Sequence, residues 1–256
     1  MNRKEALKKA FEGRKKHLTA DEVREQFETD PLYARVPAEK KAEILLNIQT
    51  IEEQSKPLLQ ALDDLGMSVI CVWEILDRYK KLYPVVIDTL LEHLPRVSYP
   101  RLKENIVRVI GLASSPYDGR VLASEYDCAS DKYLKWAICN TFARTRPQNV
   151  DDWMIETLRD SSEDRTRGML CTAIARHLPD QAPGLLCRAF ADIPDYAAEG
   201  LALCGGQPEL EFLQGQISSE KVWPKEHLHE IQKAIRRIER RLARQPKVPK
   251  KRKPLN

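Results

Sequence analysis

The residues able to do chemistry in this chain are numerous, but few stand at spacings that chemistry uses. His227 and His229 flank Leu228 between Glu226 and Glu230, the nearest approach to a metal-binding run. On a helix, positions i and i+2 point roughly 200° apart, so two such imidazoles do not share an ion and a solvated face is the better reading. His93 and His177 fall at helix ends, where a cationic ring suits the dipole. Cys71, Cys128, Cys139, Cys171, Cys187 and Cys204 form no C-x-x-C pair and no metal-ligand spacing. Cys139 and Cys171 are 32 residues apart at one repeat position. Their helices should stand about 10 Å apart, beyond the roughly 7 Å Cα separation a disulfide tolerates. All six are expected to be reduced thiols packed as small apolar groups. No G-x-G-x-x-G, P-loop, G-x-S-x-G or H-E-x-x-H run occurs. The expectation is a protein without catalysis, cofactor or metal.

Noncovalent binding is the chemistry that the carboxylates allow. Asp118, Glu125, Asp127, Asp151, Asp152, Glu156, Asp160 and Asp192 gather on, or at the starts of, every second helix of the pattern described below. Such a set forms either an acidic groove for a basic protein segment or a solvated face in which Asp118 and Asp151 cap helix starts. Trp73, Trp136, Trp153 and Trp223 are either packing residues or stacking platforms, and Trp153 follows the Asp151-Asp152 pair. The candidate partner-binding residues are Asp118, Glu125, Asp151, Asp152, Trp153, Glu156 and Asp160.

The overall charge of +4 conceals segregation: residues 1–17 carry +5 and residues 233–256 carry +10, which leaves residues 18–232 at −11. An acidic body does not suit a phosphate backbone and does suit a basic protein partner. The C-terminal cluster Lys250, Lys251, Arg252 and Lys253 resembles a nuclear localisation signal. It equally suits a nucleic-acid contact, or a segment that visits the acidic body until a partner displaces it. No apolar run is long enough to cross a bilayer, and residues 1–16 are too charged for a signal peptide. The expected location is the cytoplasm, or the nucleus if the basic cluster is an import signal. Oligomeric state is not legible.

The elements that would position these residues are helices. Pro84, Pro116, Pro147, Pro179 and Pro208 recur at intervals of 32, 31, 32 and 29 residues, a period that indicates stacked supersecondary units. Leu102, Ile106, Val109 and Ile110 are followed 32 residues later by Leu134, Ile138, Thr141 and Phe142, and 32 later again by Thr166, Leu170, Ala173 and Ile174. Each set has the i, i+4, i+7, i+8 spacing of one helical face. The pairs run over about 68–95, 98–128, 130–160, 162–192 and 194–219. In each, one helix precedes the timing proline and the other follows it. The chain therefore divides into a helical cap at 1–66, a repeat array at 67–219, a capping helix at 220–245 and a basic tail at 246–256. Within the cap, Thr19 and Glu22 form a capping box, Pro37 starts a helix ending near Ser55, and Pro57 opens a short helix that Gly66 ends.

The first helices of two pairs carry Asp131-Lys-Tyr-Leu134-Lys135-Trp-Ala137 and Asp164-Arg-Thr-Arg167-Gly-Met169. These resemble the D-x-x-(V/L)-(R/K)-x-A opening of short HEAT-like repeats, the variety found in phycobilin-attaching lyases, with a basic residue recurring at Lys103, Lys135 and Arg167. Arg101 and Glu199 depart from that pattern. The resemblance covers about residues 68–219. It implies an all-α solenoid of about five HEAT-like helix pairs with helical caps, whose second helices line a concave binding surface. A scaffold, or an inhibitory partner such as an immunity protein, is the function class it suits. The alkylpurine DNA glycosylases are HEAT-like enzymes that use Trp and Asp around a flipped base; here only Asp152-Trp153 is similar, and a nucleic-acid-binding protein of that type is the alternative.

Overall fold

In the computed structural model, which describes residues 20–29, 36–160, 165–218 and 222–244, the protein is all-α. The only sheet among these residues is a pair of two-residue strands. The chain forms two compact units that divide between Leu112 and Ala113.

In the first unit, α1 (Ala20–Thr29) packs on α2 (Ala38–Asp64), which packs on α4 (Pro84–His93). Helix α5 (Pro100–Ile110) rests on α4 and on the short α3 (Glu74–Arg78). One expectation fails here. Helix α2 does not end near Ser55 but runs 27 residues through Pro57. The proline removes one backbone donor, while the next turn buries Leu58 and Leu62 almost completely, so tertiary packing outweighs the break. Gly66 does close the helix, at φ +78, with its N–H on the Asp63 carbonyl and that of Met67 on Leu62. Gln54 then ties α2 to the start of α5, its side-chain oxygen accepting from the Ser98 and Tyr99 N–H groups at 2.9 and 3.0 Å.

The second unit begins with strand β1 (Tyr117–Asp118), which runs parallel to β2 (Pro147–Gln148). The loops around two timing prolines thus pair with each other, and the Gly119 N–H reaches the Gln148 carbonyl at 3.0 Å. Beneath them the Thr145 hydroxyl donates to the Thr141 carbonyl at 2.7 Å, which leaves the buried Tyr117 hydroxyl to donate to Thr145 Oγ1 at 2.9 Å.

The helices of this unit are α6 (Arg120–Cys128), α7 (Lys132–Arg144), α8 (Asp151–Arg159), α9 (Met169–His177), α10 (Ala182–Ala189), α11 (Pro194–Cys204), α12 (Gln207–Ser218) and α13 (Lys225–Arg244). Helices α7, α9, α11 and α13 pack in succession; α8 touches α10, and α10 touches α12. Leu134, Ile138, Phe142, Leu170 and Ile174 are buried here, as Leu102, Ile106 and Ile110 are in the first unit. A 3-10 turn, Arg165–Gly168, precedes α9. Gly168 and Gly200 share a repeat position and permit close approach: a Cβ on Gly168 would overlap the Tyr196 ring, and one on Gly200 would lie 2.8 Å from the Cys171 carbonyl oxygen.

Side chains of one helix cap the end of its neighbour. His177 Nε2 donates to the Phe142 carbonyl at 3.1 Å, and Arg176 donates to that of Ala143. Farther along, Arg241 donates to Ala202 and Leu203 at 2.7 and 2.9 Å, and also to Gly205. His177 therefore serves a terminal carbonyl of α7 while standing at the end of its own helix.

Candidate binding face

Helix α8 begins with two acids because the positive end of a helix dipole favours them. Asp151 is not the N-cap: Val150 holds that position, and no side chain caps the helix. Asp151, Asp152 and Glu156 are all exposed, with Asp152 and Glu156 one turn apart on the same side.

Trp153, the next residue, is half-buried. Its indole N–H donates to both oxygens of Asp127, at the end of α6, at 3.1 and 3.3 Å. The ring stands edge-on to Tyr126, with centroids 5.2 Å apart, and to Phe142 at 5.6 Å. Such edge contacts suit aromatic quadrupoles. The Lys135 ammonium lies 4.7 Å from the Tyr126 centroid. Trp153 thus links α6, α7 and α8, and through Asp127 it fixes one more carboxylate beside the acids of α8.

The other candidates stand differently. Glu125 is only 8 % exposed and belongs to the buried side of α6 with Leu122 and Tyr126. It is not part of an open groove, because the helical stripe that buries those neighbours carries it inward. Asp118 accepts the Arg120 backbone N–H at 3.1 Å and its Nε–H at 3.0 Å. The guanidinium and N–H hold its carboxyl down, from the ordinary 3.8 to about 2. Asp118 thus brings its own counter-charge. Asp160 is exposed just beyond α8, and Asp192 pairs at 3.1 Å with Arg167, whose side chain is 2 % exposed.

Nor does the acidic character run along every second helix. A cleft of about 380 Å³ between α8 and α10 is lined by Arg159 and Arg188 as well as Asp192. Asp127 is the exposed carboxylate held beside Trp153, and Asp152 and Glu156 share one side of α8, whereas Asp151, two positions before Trp153, lies on a different side of the helix. Asp127 was legible as an acid but not as the partner of Trp153. Lys250, Lys251, Arg252 and Lys253 lie outside the described residues.

No group of three His, Cys, Asp or Glu side chains among the described residues could hold a metal ion. His227 Nδ1 faces Asp195 Oδ1 at 3.4 Å, while His229 lies 3.9 Å from Glu230. None of the six cysteines is in a disulfide. Burial pushes Cys171 well above the ordinary thiol range and Cys204 up to about 11. Among the described residues, no helix is long and apolar enough to cross a membrane. Compared with protein-family models, with curated proteins and with solved structures, the chain has no significant match.

Proposed function

We propose that this chain is a non-catalytic protein-binding module, a scaffold or an inhibitory partner of the immunity-protein kind, which receives a basic segment of another protein on the face formed by α6 and α8. The observation that carries the reading is the half-buried Trp153, anchored on Asp127, with the exposed Asp152 and Glu156 on the flanking side of α8 and Asp151 at the helix start. A lysine or arginine brought to this indole would meet carboxylates and an aromatic ring together. Each exposed ion pair contributes only about 0–1 kcal/mol, and a cation–π contact about 0.5–1 kcal/mol, so several must act together. The successive packing of α7, α9, α11 and α13 supports a HEAT-like solenoid arrangement for this unit, an architecture that offers a preformed surface.

An enzyme of the alkylpurine glycosylase type is the rival. It would need Asp and Trp around an extruded base. Asp152 is exposed, and Trp153 stands edge-on to two aromatic rings with its N–H engaged, which favours the binding reading.

The test is a titration of the full chain with a Lys/Arg-rich peptide and with duplex DNA over a range of salt. Peptide binding that weakens with salt, and is lost on combining Asp151→Asn, Asp152→Asn and Glu156→Gln, supports the proposal. Tight duplex binding that survives deletion of residues 245–256 and falls with Trp153→Ala favours the rival.

A further inference from the structure

A second site carries the opposite charge. The ends of α7 and α9, with the loops around Pro116 and Pro147, border an open cleft of about 370 Å³ lined by Pro116, Arg144, Thr145, Arg146, Pro147, Gln148, Arg176 and His177. Three arginines and a histidine line it, and no acid does. Two of these side chains have a structural role: Arg176 and His177 cap the carbonyls of Ala143 and Phe142. Capping does not explain Arg144 and Arg146. Both are exposed, and neither has an ion-pair partner among the described residues. Like charges gathered at one concavity repel; the carbonyl ends of α7 and α9 offset part of that repulsion, and a bound anion would offset more.

We infer that this cleft binds the phosphate group of a small phosphorylated molecule. A guanidinium presents a planar fork that matches two phosphate oxygens. The bond to Ala143 leaves other N–H groups of Arg176 available and restricts its orientation, while the bond to Phe142 restricts the His177 ring, so less ordering remains for binding. Gln148 adds an amide, and the Thr145 hydroxyl is already committed to Thr141. A nucleic-acid strand fits less well. Its phosphates need cations spread along a track, whereas here they surround one cleft, and Asp151 and Asp152 open the helix that follows β2. The cleft lining shares no residue with the acidic face, and the inference does not rest on that face's proposed role.

The experiment titrates the full chain with inorganic phosphate, with pyrophosphate and with a single-stranded oligonucleotide, at ionic strength matched with chloride. It compares the wild-type chain with the double variant Arg144→Gln, Arg146→Gln and with the charge-preserving double variant Arg144→Lys, Arg146→Lys. Saturable binding of phosphate and tighter binding of pyrophosphate are expected. The glutamine variant should lose at least about tenfold in affinity, as removal of charge-assisted hydrogen bonds implies, and the lysine variant should lose less. The His177 ring resonances should move with phosphate, an observable independent of either variant. Absence of saturable phosphate and pyrophosphate binding overturns the inference, and so does equal binding by all three chains. Oligonucleotide binding that needs Arg144 and Arg146, without phosphate or pyrophosphate binding, overturns it in favour of a nucleic-acid contact.

Discussion

Asp127 and Trp153 stand 26 residues apart in the chain, and one forked hydrogen bond joins them, with the indole N–H 3.1 and 3.3 Å from the two carboxylate oxygens. The same ring meets Tyr126 and Phe142 edge-on. An exposed acidic face is thereby fastened to the aromatic packing beneath it, and its position depends on that packing.

Replacing Trp153 should separate the two roles. Trp153→Phe keeps a ring but removes the donor, and should cost about 1 kcal/mol in urea unfolding, the worth of an ordinary hydrogen bond. Trp153→Ala removes the ring as well; for a half-buried side chain the loss should approach the lower end of the roughly 3–5 kcal/mol range known for core aromatics. Equal costs for the two would mean that the ring packing contributes nothing.

Two glycines make a matched comparison. Gly168→Ala places a methyl group into the Tyr196 ring and should cost about 1–3 kcal/mol, the range for overpacking. Gly215, within α12, has nothing within 4 Å of a Cβ, so Gly215→Ala should be neutral or stabilising by up to about 1 kcal/mol. Thermal melts of both variants decide it, and a neutral Gly168→Ala would contradict the close approach.

The thiols should differ sharply in reactivity. Cys128 is exposed, whereas Cys139 and Cys171 are buried. A thiol reagent at mildly alkaline pH should label Cys128 first and reach Cys139 and Cys171 only on unfolding. Cys204 adds a pH dependence. Its folded-state value is raised from 9.0 to about 11, so its contribution to stability is full below pH 9 and is lost as pH rises from 9 through 11. Melts of Cys204→Ala should lose less stability over that window than the wild-type chain.

Acid acts in the other direction on Asp118. Its carboxyl is lowered from 3.8 to about 2. The contribution is present above pH 3.8 and disappears as pH falls through about 2. Because the group is largely in water, the effect should be small and should shrink with added salt. Acid titration of Asp118→Asn should be slightly flatter below pH 4, and an unchanged profile would remove the Arg120 pairing from the account.

Much of the all-α architecture was legible because the side-chain columns from Leu102 to Ile174 repeat every 32 residues, and a repeated helical face is hard to mistake. Pro57 misled because the burial of Leu58 and Leu62 is a tertiary effect that a local rule does not contain. The division at Leu112 falls inside a predicted helix pair, where no change of composition marks it. At the candidate face, the exposed acids were legible as a group but their individual fates were not. Glu125 reads like its neighbours until the stripe shared with Leu122 and Tyr126 turns it inward. The Asp127–Trp153 bond spans 26 residues, off the repeat period, so no column connects the two. The basic cleft did leave a signal: Arg144 and Arg176 occupy the same repeat position.

The central claim is that the face around Trp153 receives a basic segment. The most direct measurement follows the Trp153 indole N–H resonance, assigned with Trp153→Phe, while a Lys/Arg-rich peptide is added to the full chain at low salt. A saturable shift of that resonance, absent from the indole of Trp73 and abolished by combining Asp151→Asn, Asp152→Asn and Glu156→Gln, is the predicted result. Peptide binding that leaves the Trp153 indole unmoved, or a shift that persists after those three carboxylates are neutralised, would contradict the account.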